Sequence, residues 1–130
     1  MKILVVDDNR QIRSMFNDLL KNDHEVSLLT NGHNAVSLLS DVNHSFDLVF
    51  LDINMPRMSG MTLLNIISDI QCNQKTRFVV ITGYPYDSEQ FKAFPSVIEV
   101  LRKPFPIDAI HRIIRQTGAR QEQRETVSTK

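Results

Sequence analysis

Four short motifs place oxygen or ammonium groups directly after apolar runs. Asp7-Asp8 follows Ile3-Leu4-Val5-Val6, and Asp52 follows Leu48-Val49-Phe50-Leu51. Thr82-Gly83 follows Phe78-Val79-Val80-Ile81, and Arg102-Lys103-Pro104 follows Val97-Ile98-Glu99-Val100-Leu101. In an open α/β sheet the ligand crevice lies beyond the carboxyl ends of the strands, where the strand order reverses. If the first and third runs are neighbouring strands, three carboxylates crowd one crevice, with a hydroxyl and an ammonium on its far side. Carboxylates that close repel one another, and at least one pKa should rise. A hard divalent cation removes that conflict, and an all-oxygen ligand set with open water positions suits Mg²⁺. The plainer alternative is that Asp8 and Asn9 cap the first helix. For any one Asp after a strand the two readings are about evenly balanced. Capping is a much poorer explanation of the whole ordered set.

The elements that must position these residues alternate in period. The three strongest runs are continuous and rich in β-branched residues, as in strands buried on both faces. Glu25-Val26-Ser27-Leu28-Leu29 and Val97-Ile98-Glu99-Val100-Leu101 are interrupted by polar residues and suit positions nearer a sheet edge. Between the runs, Ile12, Met15, Phe16, Leu19 and Leu20 form one helical stripe. Ala35, Val36, Leu38 and Leu39 predict a second helix, and Leu63, Ile66, Ile67 and Ile70 a third. The stretch from Asp87 to Phe94 predicts a short fourth helix stopped by Pro95. Ile107, Ile110 and Ile114 predict a last one, with Pro106 in its first turn. Five strand-then-helix repeats predict a parallel sheet covered by helices on both faces. From about Gln116 the chain has almost nothing to bury, which predicts a disordered tail or linker stub over 118–130.

Composition narrows the function classes. The 130 residues fit one domain, with 42% hydrophobic and 23% charged residues, ordinary for a globular protein. Fifteen Lys and Arg balance fifteen Asp and Glu, so no bulk basic field exists for direct nucleic-acid binding. No run approaches the ~18 apolar residues of a membrane span. Acidic residues come too early at the N-terminus for a secretory signal peptide, and a cytoplasmic location is expected. Cys72 is alone, excluding an internal disulfide or a cysteine-rich zinc site.

Residues 1–117 resemble the receiver domain of two-component response regulators, the single-domain chemotaxis type in particular. The resemblance rests on Asp7-Asp8, on the loop Asp52-Ile53-Asn54-Met55-Pro56-Arg57-Met58-Ser59-Gly60, on Thr82 and on Lys103-Pro104-Phe105. It implies a doubly wound, flavodoxin-like (βα)5 fold with strand order 2-1-3-4-5 and a cis bond before Pro104. It also implies that Asp52 is the phosphorylated carboxylate. Mg²⁺ would be bound by Asp8, Asp52 and the Asn54 carbonyl, with Asp7 acting directly or through a metal-bound water. Thr82 would hydrogen-bond the phosphoryl group and Lys103 would pair with it. Tyr84 would stand at the mouth of the site and modulate the phosphoryl lifetime. The expected partners are a sensor histidine kinase or histidine phosphotransfer protein, and a downstream protein whose identity the sequence does not give. One departure stands out: a family aromatic usually sits three positions before the signature lysine, where this chain has Val100. Tyr84 or Tyr86 would then take the switch role.

The chemistry suits that assignment. Phosphoryl transfer needs in-line positioning and charge neutralisation more than acid–base groups, and a carboxylate nucleophile is already ionised near neutrality. A haloacid-dehalogenase-type Mg²⁺ phosphatase needs Asp-x-Asp after the first strand, which Asp7-Asp8 does not supply. A receiver fold serving only as a docking module would not need the acidic set, Thr82 and Lys103. No glycine-rich phosphate loop follows the first strand, against a dinucleotide carrier. His24, His33, His44 and His111 lack metal-ligand spacing. Met55, Met58 and Met61 are expected to pack.

Overall fold

The computed structural model describes residues 1–41, 43–70 and 75–128, and the side chains of these except 69, 70 and 122–128. Cys72 lies outside the described residues. Five strands alternate with helices: β1 (Lys2–Val6), α1 (Arg10–Leu20), β2 (Glu25–Leu29), α2 (Gly32–Ser40), β3 (Leu48–Asp52), α3 (Gly60–Ile70), β4 (Arg77–Thr82), a 3₁₀ turn (Ser88–Phe91), β5 (Val97–Arg102) and α4 (Ile107–Ser128). All strand pairs are parallel and the order is β2-β1-β3-β4-β5. The two strands interrupted by polar residues are the edges, where one neighbour is missing and less backbone is covered.

Alternation along the strands divides the core into two layers. Ile3, Val5, Leu48, Phe50, Val79 and Ile81 face Phe16 and Leu20 of α1 and Ile110 and Ile113 of α4. Leu4, Val6, Val49, Leu51, Phe78 and Val80 face Ala35 and Leu39 of α2 and Leu63, Leu64 and Ile67 of α3. The β1, β3 and β4 interiors are continuous apolar runs because both faces are covered. At the β5 edge the register jumps from Phe78↔Val97 to Val79↔Glu99, so Ile98 is the extra residue of a β-bulge.

Two expectations differ from the structure. Between Asp87 and Phe94 a helix was expected, and only the 3₁₀ turn Ser88–Phe91 forms. Asp87 caps it by accepting from the Glu89 N–H, and too few residues remain before Pro95 for a second turn. Where a disordered tail was expected over 118–130, the α4 backbone runs on to Ser128. Burial nonetheless ends near Thr117, which is 3% exposed. Gln, Glu, Arg and Ala are good helix formers, so backbone propensity favours continuing the helix.

Candidate functional site

The carboxyl ends of β1, β3, β4 and β5 meet at one edge of the sheet. β1 and β3 are direct neighbours and their helices leave on opposite faces, so a crevice opens between them. Asp7 follows β1 and extends its ladder, its N–H donating to the Leu29 carbonyl at 3.1 Å. Asn9, not Asp8, caps α1, accepting from the N–H groups of Gln11 and Ile12. Asp52 is the last residue of β3, opposite Ile81, and the next N–H, of Ile53, donates to the Ile81 carbonyl at 3.0 Å. Thr82 ends β4, and its carbonyl accepts from the Lys103 N–H at 2.8 Å. The Lys103–Pro104 bond is cis.

Asp7, Asp52 and Thr82 are buried, whereas Asp8 is exposed at the mouth. One carboxylate oxygen from each of Asp7, Asp8 and Asp52 lies within 4.8 Å of the others. Main-chain donors hold two of these carboxylates in place: Asn9 N–H to Asp7 Oδ1 and Asn54 N–H to Asp52 Oδ1, both 2.8 Å. The Lys103 ammonium lies 3.2 Å from Asp7 Oδ2 and 3.4 Å from Asp52 Oδ2, bridging them. Burial pushes the Asp7 carboxyl above the usual carboxylate range, and the Asp52 charge pushes the same way against Asn9 and Lys103. Burial alone would lower the Lys103 pKa, but the Asp7 and Asp52 charges outweigh it and the ammonium is held above its ordinary value.

The donor set fits a hard cation. Every candidate ligand is oxygen, and Asp7 Oδ2 is buried with the Lys103 ammonium, 3.2 Å away, as its ion-pair partner, so that oxygen keeps lone-pair capacity toward the cluster. Oxygens arranged this way favour Mg²⁺ over a soft metal.

The structure thus brings Asp7, Asp8, Asp52 and Lys103 together, with Thr82 and Asn54 beside them. Tyr84 is adjacent but its side chain is 66% exposed. Val100, where the family aromatic would stand, packs partly buried against the α2–α3 layer. Met55 is buried in the α2–α3 layer, with Met58 and Met61 packed partly buried against the same layer, and Phe105 tilts against Phe16 at 6.1 Å between centroids.

The side-chain role of Asn54 and three further contributors escape inspection of the sequence. The Asn54 side chain joins the β3 and β4 loops, accepting from the Thr82 hydroxyl at 2.9 Å and the Gly83 N–H at 2.8 Å. Gly60 starts α3 against the end of β3, where a Cβ would lie 2.6 Å from the Ile53 Cα. Arg57, at φ 71°, turns the loop so that the Met58 N–H reaches the Pro56 carbonyl at 2.9 Å, a γ-turn. The Arg13 guanidinium donates to the Asp7 carbonyl at 2.8 Å. Only Gly60 carries a local signal, a glycine after Ser59 where a helix begins.

Residues 3–115 match the family model described as the response regulator receiver domain. The chemotaxis protein CheY of Bacillus subtilis is 34% identical over 119 residues, 89% of this chain and 96% of that protein. Other curated relatives are longer. The chain spans 17% of the cyclic-nucleotide phosphodiesterase regA of Dictyostelium discoideum, at 29% identity, and covers 98% of itself in that match. Among solved structures, a receiver domain from Clostridium thermocellum superposes with a TM-score of 0.78 at 27% identity, over 94% of this chain and 97% of that one. The regulator TrrA of Thermotoga maritima, in complex with Mg(2+)-BeF, gives 0.69 at 27% identity, over 89% and 97%. With this sheet order and this acidic crevice, the chain belongs to the receiver domain family of two-component response regulators.

Proposed function

We propose that the protein accepts a phosphoryl group on Asp52 from a phosphohistidine of a sensor histidine kinase or phosphotransfer protein and thereby changes its affinity for a downstream protein. The observation that carries this reading is the convergence of three carboxylates within 4.8 Å beside a lysine ammonium that already pairs with Asp52. An Asp52 carboxylate oxygen attacks phosphorus, the bond from phosphorus to the histidine nitrogen breaks, and the leaving imidazole keeps the electron pair. A carboxylate nucleophile, unlike a hydroxyl or a thiol, carries no proton that a general base must remove before attack. The Asn54 N–H fixes Oδ1 of Asp52 and so orients the attacking group. Lys103, the Thr82 hydroxyl and the Gly83 N–H are the donors nearest the place where phosphoryl oxygens would sit. Asp7, Asp8 and Asp52, with the Asn54 carbonyl, would hold Mg²⁺, which when bound neutralises charge gathering on those oxygens. Tyr84 screens the mouth against the water that hydrolyses the acyl phosphate. The proposed setting is the cytoplasm; no described helix is long and apolar enough to cross a membrane.

Incubation with acetyl phosphate and Mg²⁺ should add one phosphoryl group by intact mass. Asp52→Asn or chelation should abolish the gain, and an undiminished gain in Asp52→Asn would refute the assignment.

A further inference from the structure

The donors that a phosphoryl group on Asp52 would recruit are not free. The Thr82 hydroxyl has one proton and two acceptors in reach, Asn54 Oδ1 at 2.9 Å and the Tyr84 carbonyl at 3.1 Å. The Tyr84 N–H donates to the hydroxyl oxygen at 3.2 Å, so the hydroxyl both accepts from the β4 loop and donates to one of those two oxygens. The Gly83 N–H donates to the same Asn54 Oδ1 at 2.8 Å. An N–H can donate only to oxygen here, so the amide orientation of Asn54 is fixed by Gly83. At its other end, Asn54 donates its own N–H to Asp52 Oδ1 at 2.8 Å. One exposed residue therefore holds both the carboxylate of β3 and the two donors that end β4.

We propose that the Asn54 carboxamide is a built-in substitute for the phosphoryl group, holding the Thr82 hydroxyl and the Gly83 N–H until an anionic oxygen on Asp52 takes them over. This deepens the phosphoacceptor reading and rests on it. The two acceptors differ in charge. Hydrogen bonds to an ionised oxygen are roughly twice as strong as those to a neutral amide oxygen. The exchange is thus favourable once Asp52 is phosphorylated, and unfavourable before, when releasing Asn54 would leave two donors without that partner. Because Asn54 is tied to Asp52 Oδ1, substitution of that carboxylate loosens the same residue that must let go. The latch makes Asn54 a positioning residue, setting how far the β4 loop resists activation.

Removing the carboxamide should ease the exchange. Binding of beryllofluoride at saturating Mg²⁺, followed by the Gly83 amide resonance, separates the possibilities. Asn54→Ala should bind the mimic about fivefold more tightly or better, as expected for two competing hydrogen bonds. Its unliganded Gly83 amide should also be displaced from the wild-type position. In a Thr82→Val background, where one arm of the latch is gone, the gain from Asn54→Ala should shrink. Thermal melts will show that each variant is folded. Equal or weaker binding by folded Asn54→Ala, or a gain undiminished in Thr82→Val, would overturn the latch. Failure of the wild-type protein to bind beryllofluoride would instead overturn the phosphoacceptor reading.

Discussion

Replacing Lys103 by Met removes the ammonium that bridges Asp7 and Asp52, two buried carboxylates. At 3.2 and 3.4 Å, and with an effective dielectric constant of about 20, each attraction is roughly 5 kcal/mol before solvation is counted. Most of that is offset by the cost of desolvating the ammonium, whose side chain is 25% exposed. Deleting one partner of a buried pair and stranding the other charge leaves a net loss of roughly 3 kcal/mol. For a domain of this size that is on the order of 10 °C in melting temperature. The pH dependence has a definite sign. The raised Asp7 pKa favours its neutral form in the fold, so that contribution is present below its ordinary value of 3.8 and is lost as pH rises through the raised value. Lys103 contributes fully below 10.5, and its contribution is lost as pH rises through its elevated pKa. The gap between wild type and Lys103→Met should therefore be widest between the two, and should narrow on acidification as Asp7 protonates and one of the two attractions is lost. Added Mg²⁺ should stabilise the variant more than the wild type, since no ammonium competes for the carboxylates. Urea unfolding in chelator, repeated across pH, measures this. Equal stability near pH 7, or a gap that does not narrow in acid, would refute the electrostatic account.

Gly60→Ala should lower the urea midpoint by the equivalent of about 2 kcal/mol, because a Cβ 2.6 Å from the Ile53 Cα must push α3 off β3; an unchanged midpoint would mean that the contact relaxes freely. Asp8→Asn should keep the fold, since Asp8 is exposed and Asn9 makes the α1 cap. It should nevertheless lose most of the melting-temperature gain that Mg²⁺ gives wild type, and equal gains would show that Asp8 is not a ligand. Tyr84→Ala should shorten the lifetime of the phosphorylated protein by admitting water to the mouth of the site. Unchanged or slower decay would show that the 66% exposed ring does not guard it.

The strands were legible because β1, β3 and β4 are covered on both faces and read as unbroken apolar runs. The edges were legible because Ser27 and Glu99 interrupt β2 and β5. The cluster could be foreseen because Asp52 and Thr82 end strands and Asp7 and Lys103 directly follow them, while the strand order that makes these ends neighbours came from the family resemblance. Helix ends were less legible. The stretch from Asp87 to Phe94 is too short before Pro95 to propagate a helix, and the residues after Thr117 favour helix by propensity where the absence of apolar residues suggested disorder. Contacts made by side chains across loops left no trace in periodicity. Asn54 and Gly83 are 29 residues apart and meet only because β3 and β4 are neighbours. The same holds for the Ile98 bulge, which depends on how β5 settles against β4.

The most direct test of the central claim is chemical mapping of the phosphorylated residue. Protein labelled with acetyl phosphate and Mg²⁺ is reduced with borohydride, which converts an aspartyl phosphate to homoserine, and its peptides are sequenced by mass spectrometry. The reduced residue should be found at Asp52 and should vanish when Mg²⁺ is chelated. Reduction at Asp7 or Asp8 in place of Asp52, or labelling that survives chelation, would contradict a metal-assisted phosphoacceptor at the end of β3.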